Sequence, residues 1–436
     1  MKKILTAVLL LLSLQIGYSQ QFAKNLSKSD EDIVNPKKKD NPKTWIDRAE
    51  LMRKVYDAPT SKIPDILKVA VRETDLPIYL KGEQQLSTSQ KVVDEVEYKM
   101  FVYPDKELYL NPENGLVSMV RTTKTEIDKP LDKALDAYKK ALELGGDAKK
   151  ITEGLEALST SFVSYAFGEY YVENYSATID GFKKSLECSS HPLVGKIDTG
   201  IIYNVGFISM KNKDYKTAEE YYTKASEYGY QDGDIYASIY NAIRSQGSRN
   251  DTLRAGDILM KAYKKYPLNL GILGTLVNHY LGIGEDPKII LPILQDAQKA
   301  AKETGAENSS LYYVEGNLHV QLKDDENAIK AYNKAIEIEP DNANAHYMVG
   351  LLYYNSGVNI QNAANDKMGK EYDAELAKAN EEFRKALVPL EKAYQINPNE
   401  KAFVDVIRSI YFRFRADNDE MKANYEKYKA IFDKME

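Results

Sequence analysis

One residue spacing recurs along this chain and constrains its fold more than any other feature. The segment Ser309–Asn342 shows it most fully. It carries Tyr312 at position 4, Gly316 at 8, His319 at 11, Ala328 at 20, Tyr332 at 24, Ala335 at 27 and Pro340 at 32. A period of this length marks a stack of two-helix units rather than a single closed core. Gly inside a helix costs about 1 kcal/mol against Ala. It is kept where a second helix must come close, so Gly316 and Ala328 mark a tight helix crossing. Tyr312, Tyr332 and Ala335 fill the space around that crossing. Pro340 cannot continue the second helix, and Asp341 and Asn342 offer side-chain oxygens to cap the next one.

The same spacing returns elsewhere. From Thr199 it gives Val205-Gly206, then Ala218, Tyr222 and Ala225. From Tyr236 its second half reads Ala255, Leu259, Ala262 and Pro267. From Ala343 the first helix gives His346, Val349-Gly350 and Tyr353, and the partner helix arrives late, as Ala386, Leu390, Ala393 and Pro398. The delay predicts that the extra stretch, Ser356 to Ala377, forms a polar loop plus an N-terminal extension of the second helix. Residues 150–192, 270–305 and 400–434 each predict a weaker helix pair, with Asp286-Pro287 starting a helix. The last pair is charged from Met421 to Lys434, as a solenoid cap requires.

The pattern resembles the tetratricopeptide repeat (TPR) family, with an aromatic then Gly in helix A and Ala-x3-aromatic-x2-Ala then Pro in helix B. Glu315 and His319 depart from it at positions 7 and 11. The resemblance covers about 199 to 398 well, and is partial around Trp45 and over 130–192. It implies an all-α fold, a TPR α-solenoid in which helix-turn-helix repeats form a right-handed superhelix, and a role in holding a protein partner. The expected organisation is a signal peptide over 1–19, a polar flexible leader over 20–43, and a first, split helix pair over 44–146. The repeat array follows over 147–398, with capping helices over 399–436.

The split pair joins Trp45, Ala49 and Met52 to Ala134, Tyr138 and Ala141, with about 70 extra residues between the anchors. This insertion, about 58–129, has a different texture. Glu97–Tyr103, Leu108–Leu110 and Leu116–Val120 are rich in β-formers, separated by Pro104-Asp105-Lys106 and Asn111–Gly115. They predict a small antiparallel meander, preceded by a helix near Ile63 to Glu73.

The first residues predict export. Lys2 and Lys3 precede an apolar run from Ile4 to Leu14, and Gly17-Tyr18-Ser19 places small residues where a signal peptidase reads. The run is short of the ~20 residues that span a bilayer, and no later stretch predicts a transmembrane segment. With no cysteine behind the run, a lipoprotein signal is excluded, so a periplasmic or secreted protein is expected. Cys188 is the single cysteine, so no internal disulfide forms. The formal net charge of −6 gives no basic footprint for nucleic acid.

No catalytic constellation stands out. There is no HExxH helix, GxSxG elbow, P-loop or GxGxxG. His319 and His346 occupy positions where the repeat expects packing aromatics, and no acidic residue lies at zinc-ligand spacing. No enzyme activity, cofactor or metal is expected. Tyrosine is abundant, 33 of 436 residues, often in pairs such as Tyr312-Tyr313 and Tyr353-Tyr354. Neighbouring helix residues point about 100° apart, so one ring of a pair packs while the other faces elsewhere.

In TPR proteins helix A positions 5, 9, 12 and 13 line the inner groove. Carried onto this chain, that face includes Tyr203, Phe207, Tyr313, Asn317, Gln321, Tyr347 and Tyr354. Lys211 and Asn317 alone match the basic and amide residues with which some TPR domains grip a terminal carboxylate, and they lie in separate repeats. The expected function is an exported scaffold that binds a protein or peptide in the cell envelope. The alternative is a glycan-binding helical-repeat protein of the outer envelope, using stacked aromatics.

Overall fold

The computed structural model describes residues 22–66, 68–231, 233–284 and 287–435. The expected signal peptide, 1–19, and the Asp286 helix start lie outside them. The chain divides into two compact units at Asp251/Thr252. Each is mainly a series of antiparallel helix pairs.

In the first unit the pairs are α1 (Pro42–Asp57) with α3 (Pro130–Glu143), α4 (Ala148–Tyr171) with α5 (Tyr175–Ser189), and α6 (Thr199–Lys211) with α7 (Tyr215–Glu227), followed by α8 (Ile235–Arg244). Between α1 and α3 lie the short α2 (Leu76–Tyr79) and four strands. The second unit holds α9 (Arg249–Lys265) from Thr252 on, α10 (Leu270–Gly282), α11 (Ile290–Thr304), α12 (Ser309–Gln321) with α13 (Asp325–Ile338), α14 (Ala343–Ala364) with α15 (Lys370–Ile396), and α16 (Lys401–Phe414) with α17 (Asp419–Phe432).

Local chemistry starts and stops these helices. Asp147, Asn174, Asp198, Asp214, Asn269, Asp324, Asn342 and Asn418 each accept a hydrogen bond from a backbone N–H in the helix they open, worth about 1 kcal/mol apiece. The turn inside three pairs is one motif repeated. Glu173, Lys213 and Lys323 hold φ of 61°, 60° and 58°. The next amides, of Asn174, Asp214 and Asp324, donate to Glu169, Ser209 and His319 oxygens at 2.9 Å. This left-handed helix stop normally uses Gly, so it leaves no glycine signal in the sequence.

Small residues sit at the crossings. Ala218, Ala225, Ala328, Ala335, Ala386 and Ala393 are fully buried. Across the insertion, Ala49, Met52, Ala134, Tyr138 and Ala141 form one core with Ile151, Leu155 and Phe162 of α4. Tyr138 is wholly buried, and its hydroxyl has no hydrogen-bond partner among the described residues. Burial pushes that hydroxyl up to about 12. An unpartnered buried hydroxyl costs about 1–3 kcal/mol. Tyr138→Phe is therefore expected to leave stability unchanged or raise it by about 1 kcal/mol in a urea melt. A loss of that size would show that the hydroxyl has a partner.

Three expectations are corrected. The leader read as flexible over 20–43 is helical over 22–34. Leu26 packs into the α1/α3 core, and Arg48 holds Asp30 at 2.8 Å. Among the described residues from Ile63 to Arg72 no helix forms, against the expectation of one near Ile63 to Glu73. At its end the carbonyl of Val71 accepts from Val117 N at 2.8 Å, and Arg72 bridges to Leu116, so the backbone bonds there go to the sheet side. The helical turn comes later, at Glu73–Tyr79. Third, the delayed repeat has no long loop. α14 runs on to Ala364 and α15 starts at Lys370, because Gly357, Ala364 and Ala379 keep the two helices in contact beyond the normal repeat length.

The inserted sheet is a four-stranded antiparallel meander: β1 (Ser87–Val93), β2 (Val96–Val102), β3 (Lys106–Leu110) and β4 (Val117–Thr122). Its first strand had no sequence signal, since Ser-Thr-Ser-Gln-Lys is polar and mostly exposed. It forms by pairing with β2 in register from Val93/Val96 to Ser87/Val102. One face covers Val71, Leu76 and Leu80 with Phe101, Leu108 and Leu110.

Candidate partner-binding surface

The other face of the sheet packs on α4. Tyr109 lies 4.9 Å, and Tyr98 5.3 Å, ring to ring from Tyr171. Arg121 of β4 donates to Glu107 at 3.1 Å and to Glu169 of α4 at 3.0 Å. Asn174 donates to the second oxygen of Glu169 at 2.6 Å, and Tyr109 to Glu107 at 2.8 Å. Both carboxylates are thus paired and hydrogen-bonded, as largely buried charges must be.

The β1–β2 turn reaches further, to the ends of α4 and α6. The carboxylate of Asp94 accepts from the Tyr170 hydroxyl and from Lys211 Nζ. The Lys211 ammonium also lies 5.4 Å from the ring centres of Tyr170 and Phe207, within cation–π range. Hydrogen bonds from Lys211 and then Tyr170 hold the Asp94 carboxyl below the usual range. Burial works against the Lys211 charge, but hydrogen bonding to Asp94 outweighs it and raises that group.

The seven expected groove residues separate into three settings. In the first unit Tyr203 is half-buried, 4.8 Å from Tyr230 and 5.3 Å from Tyr222. Phe207, one turn on, is 38% exposed and is the open aromatic of that helix face. In the second unit Asn317 and Gln321 line a hollow of about 390 Å³ with Asn278, Val277, Leu281 and Val314. Tyr313 sits beside it, 5.5 Å from Tyr332, whose hydroxyl donates to Asn317 Oδ1 at 2.7 Å. Tyr347 and Tyr354 have packing partners: Phe403 at 4.7 Å and Phe383 at 5.4 Å.

Asn278, Tyr170 and Asp94 were not among the candidates. Asn278 had a signal, since it stands ninth in α10 as Asn317 does in α12. Tyr170 and Asp94 had none, because their meeting depends on where the insertion docks. The two pattern histidines serve the turns. His319 Nδ1 lies 3.3 Å from Asp324 Oδ2, and His346 Nε2 lies 3.0 Å from Pro340 O. Among the described residues no cluster of three His, Cys, Asp or Glu is placed to hold a metal ion, and no helix is long and apolar enough to cross a membrane.

These pairs, with small residues at their crossings, define a helical-repeat fold. Two segments match tetratricopeptide repeat family models, residues 199–228 and 316–357. A TPR repeat-containing protein of Methanocaldococcus jannaschii is 25% identical over 318 residues. That match takes in 56% of this chain, and the chain spans about half (54%) of the relative's length. A TPR repeats protein from Bacteroides fragilis, of known crystal structure, is 19% identical with a TM-score of 0.31, covering 58% of this chain and 97% of that one. The human IFIT1 dimer solved with m7Gppp-AAAA is 17% identical with a TM-score of 0.34, covering 70% of this chain and 64% of that one.

Proposed function

We infer that this chain is an exported tetratricopeptide scaffold that holds a protein or peptide segment in the cell envelope. The observation that carries the reading is the open face of α6, where Phe207 is exposed beside Tyr203 and Lys211 within a matched repeat. Exposed aromatic rings suit a protein interface, where Tyr and Phe concentrate. The amide-lined hollow at Asn278, Asn317 and Gln321 supports a second contact region in the other unit. The basic and apolar pattern from Lys2 to Ser19 supports export.

The test is a cross-linked pull-down from envelope extract with residues 20–436 as bait, beside Phe207→Ala and Gln321→Ala baits. A specific protein is expected to be enriched and to bind at least about tenfold more weakly to the Phe207→Ala bait, the loss typical of a central interface aromatic. Equal recovery on both variants would remove these residues from the interface. Polysaccharide recovered in place of protein would favour a glycan-binding role instead.

A further inference from the structure

The tip of the β1–β2 hairpin belongs to the insertion, yet it rests on the repeat helices at the open face of α6. We propose that Asp94 is an internal stand-in for a partner's carboxylate, and that the Lys211–Tyr170 seat beside Phe207 receives an acidic peptide segment when the tip withdraws. The inference rests on the scaffold reading above and adds the chemistry of its ligand and a means of control.

The seat is built for a carboxylate. It offers an ammonium and a phenolic hydroxyl, and the two oxygens of Asp94 take one each. Two aromatic rings flank the ammonium, leaving an apolar wall beside the charge for the side chains next to an incoming carboxylate. The occupant is held by a turn that is costly to form. Asp94 and Glu95 have φ of 48° and 67°. A two-residue hairpin turn with both angles positive favours Asn-Gly or Asp-Gly, so Glu95 stands where glycine is preferred. The strain persists because the seat holds it.

The tip is also the part of the insertion best able to leave. The Arg121 network fixes β3 and β4 to α4. β1 is an edge strand with mostly exposed side chains, and the Asp94 side chain is 51% exposed. Withdrawal of the tip leaves the Arg121 anchors in place. A tethered carboxylate competes at a high effective concentration. It lowers the apparent affinity for a free one by the fraction of time the seat stands open.

The test uses residues 20–436 and fluorescence anisotropy with a fluorescein-labelled tetraglutamate peptide, beside an amidated tetraglutamine control. Asp94→Asn removes the charge but keeps a side chain suited to this turn. It is expected to bind the acidic peptide at least about tenfold more tightly than the parent chain. The gain should vanish in Asp94→Asn with Lys211→Gln, and the neutral peptide should bind none of the three. Equal affinity in parent and Asp94→Asn, or a gain that survives Lys211→Gln, overturns the proposal. A partner captured through Phe207 with no gain in Asp94→Asn would leave the scaffold standing and remove the seat.

Discussion

Truncating Tyr332 to alanine is expected to cost about 3–5 kcal/mol, the range for removing a large buried aromatic. The ring is fully buried and does three jobs. It fills the crossing of α12 and α13, where a β-carbon on Gly316 would stand 2.5 Å from its Cε1. It packs 5.5 Å from Tyr313. Its hydroxyl donates to Asn317 and so positions a residue of the hollow. Tyr332→Phe should cost only about 1 kcal/mol, the worth of one hydrogen bond. Gly316→Ala should cost about 1–3 kcal/mol by overpacking, although alanine is the better helix former. Urea melts read by amide exchange in α12 and α13 measure all three. A Tyr332→Ala loss below about 1 kcal/mol would mean the crossing collapses around the gap and its packing is not specific.

Arg121→Ala is the second large effect, also about 3–5 kcal/mol, because it strands two largely buried carboxylates. Glu169 is 8% exposed, and Glu107 of β3, 18% exposed, lies directly across the ladder from Arg121. Repulsion between them adds to the loss of their shared cation. The damage should be local. Amide exchange in β3 and β4 should quicken and proteases should cut within 58–129, while α1 and α3 keep their protection, since their shared core does not use Arg121. Arg121→Lys should recover part of the loss, as an ammonium cannot serve both carboxylates in the guanidinium's fork geometry. If the sheet keeps its protection in Arg121→Ala, the aromatic contacts of Tyr171 and the Asp94 contacts with Tyr170 and Lys211 hold the insertion without it.

Much of the fold can be read along the chain because its cause is local. A helix crossing needs small side chains at fixed intervals, and Gly316 with Ala328, or Gly206 with Ala218, announce it by spacing alone. Strands β2 to β4 announce themselves by runs of Phe, Val, Tyr and Leu. Strand β1 does not, since polar residues become a strand there through pairing with β2. The helix stops at Glu173, Lys213 and Lys323 lack the glycine that usually marks them.

The candidate face was less legible. Position in the repeat says which side of a helix a residue occupies, but not what lies against that side. Phe207 stays open, whereas Tyr347 and Tyr354 meet Phe403 and Phe383 from later helices.

By itself, then, the sequence determined the helix pairs, their crossings and the place where the insertion interrupts them, because volume and capping act over a few residues. The tertiary structure decided where the insertion rests and which ring faces solvent. Arg121 finds Glu169 across 48 residues and Asp94 finds Lys211 across 117. Charges that pair at such separations follow no period, and their partners are chosen by the packing of everything between them.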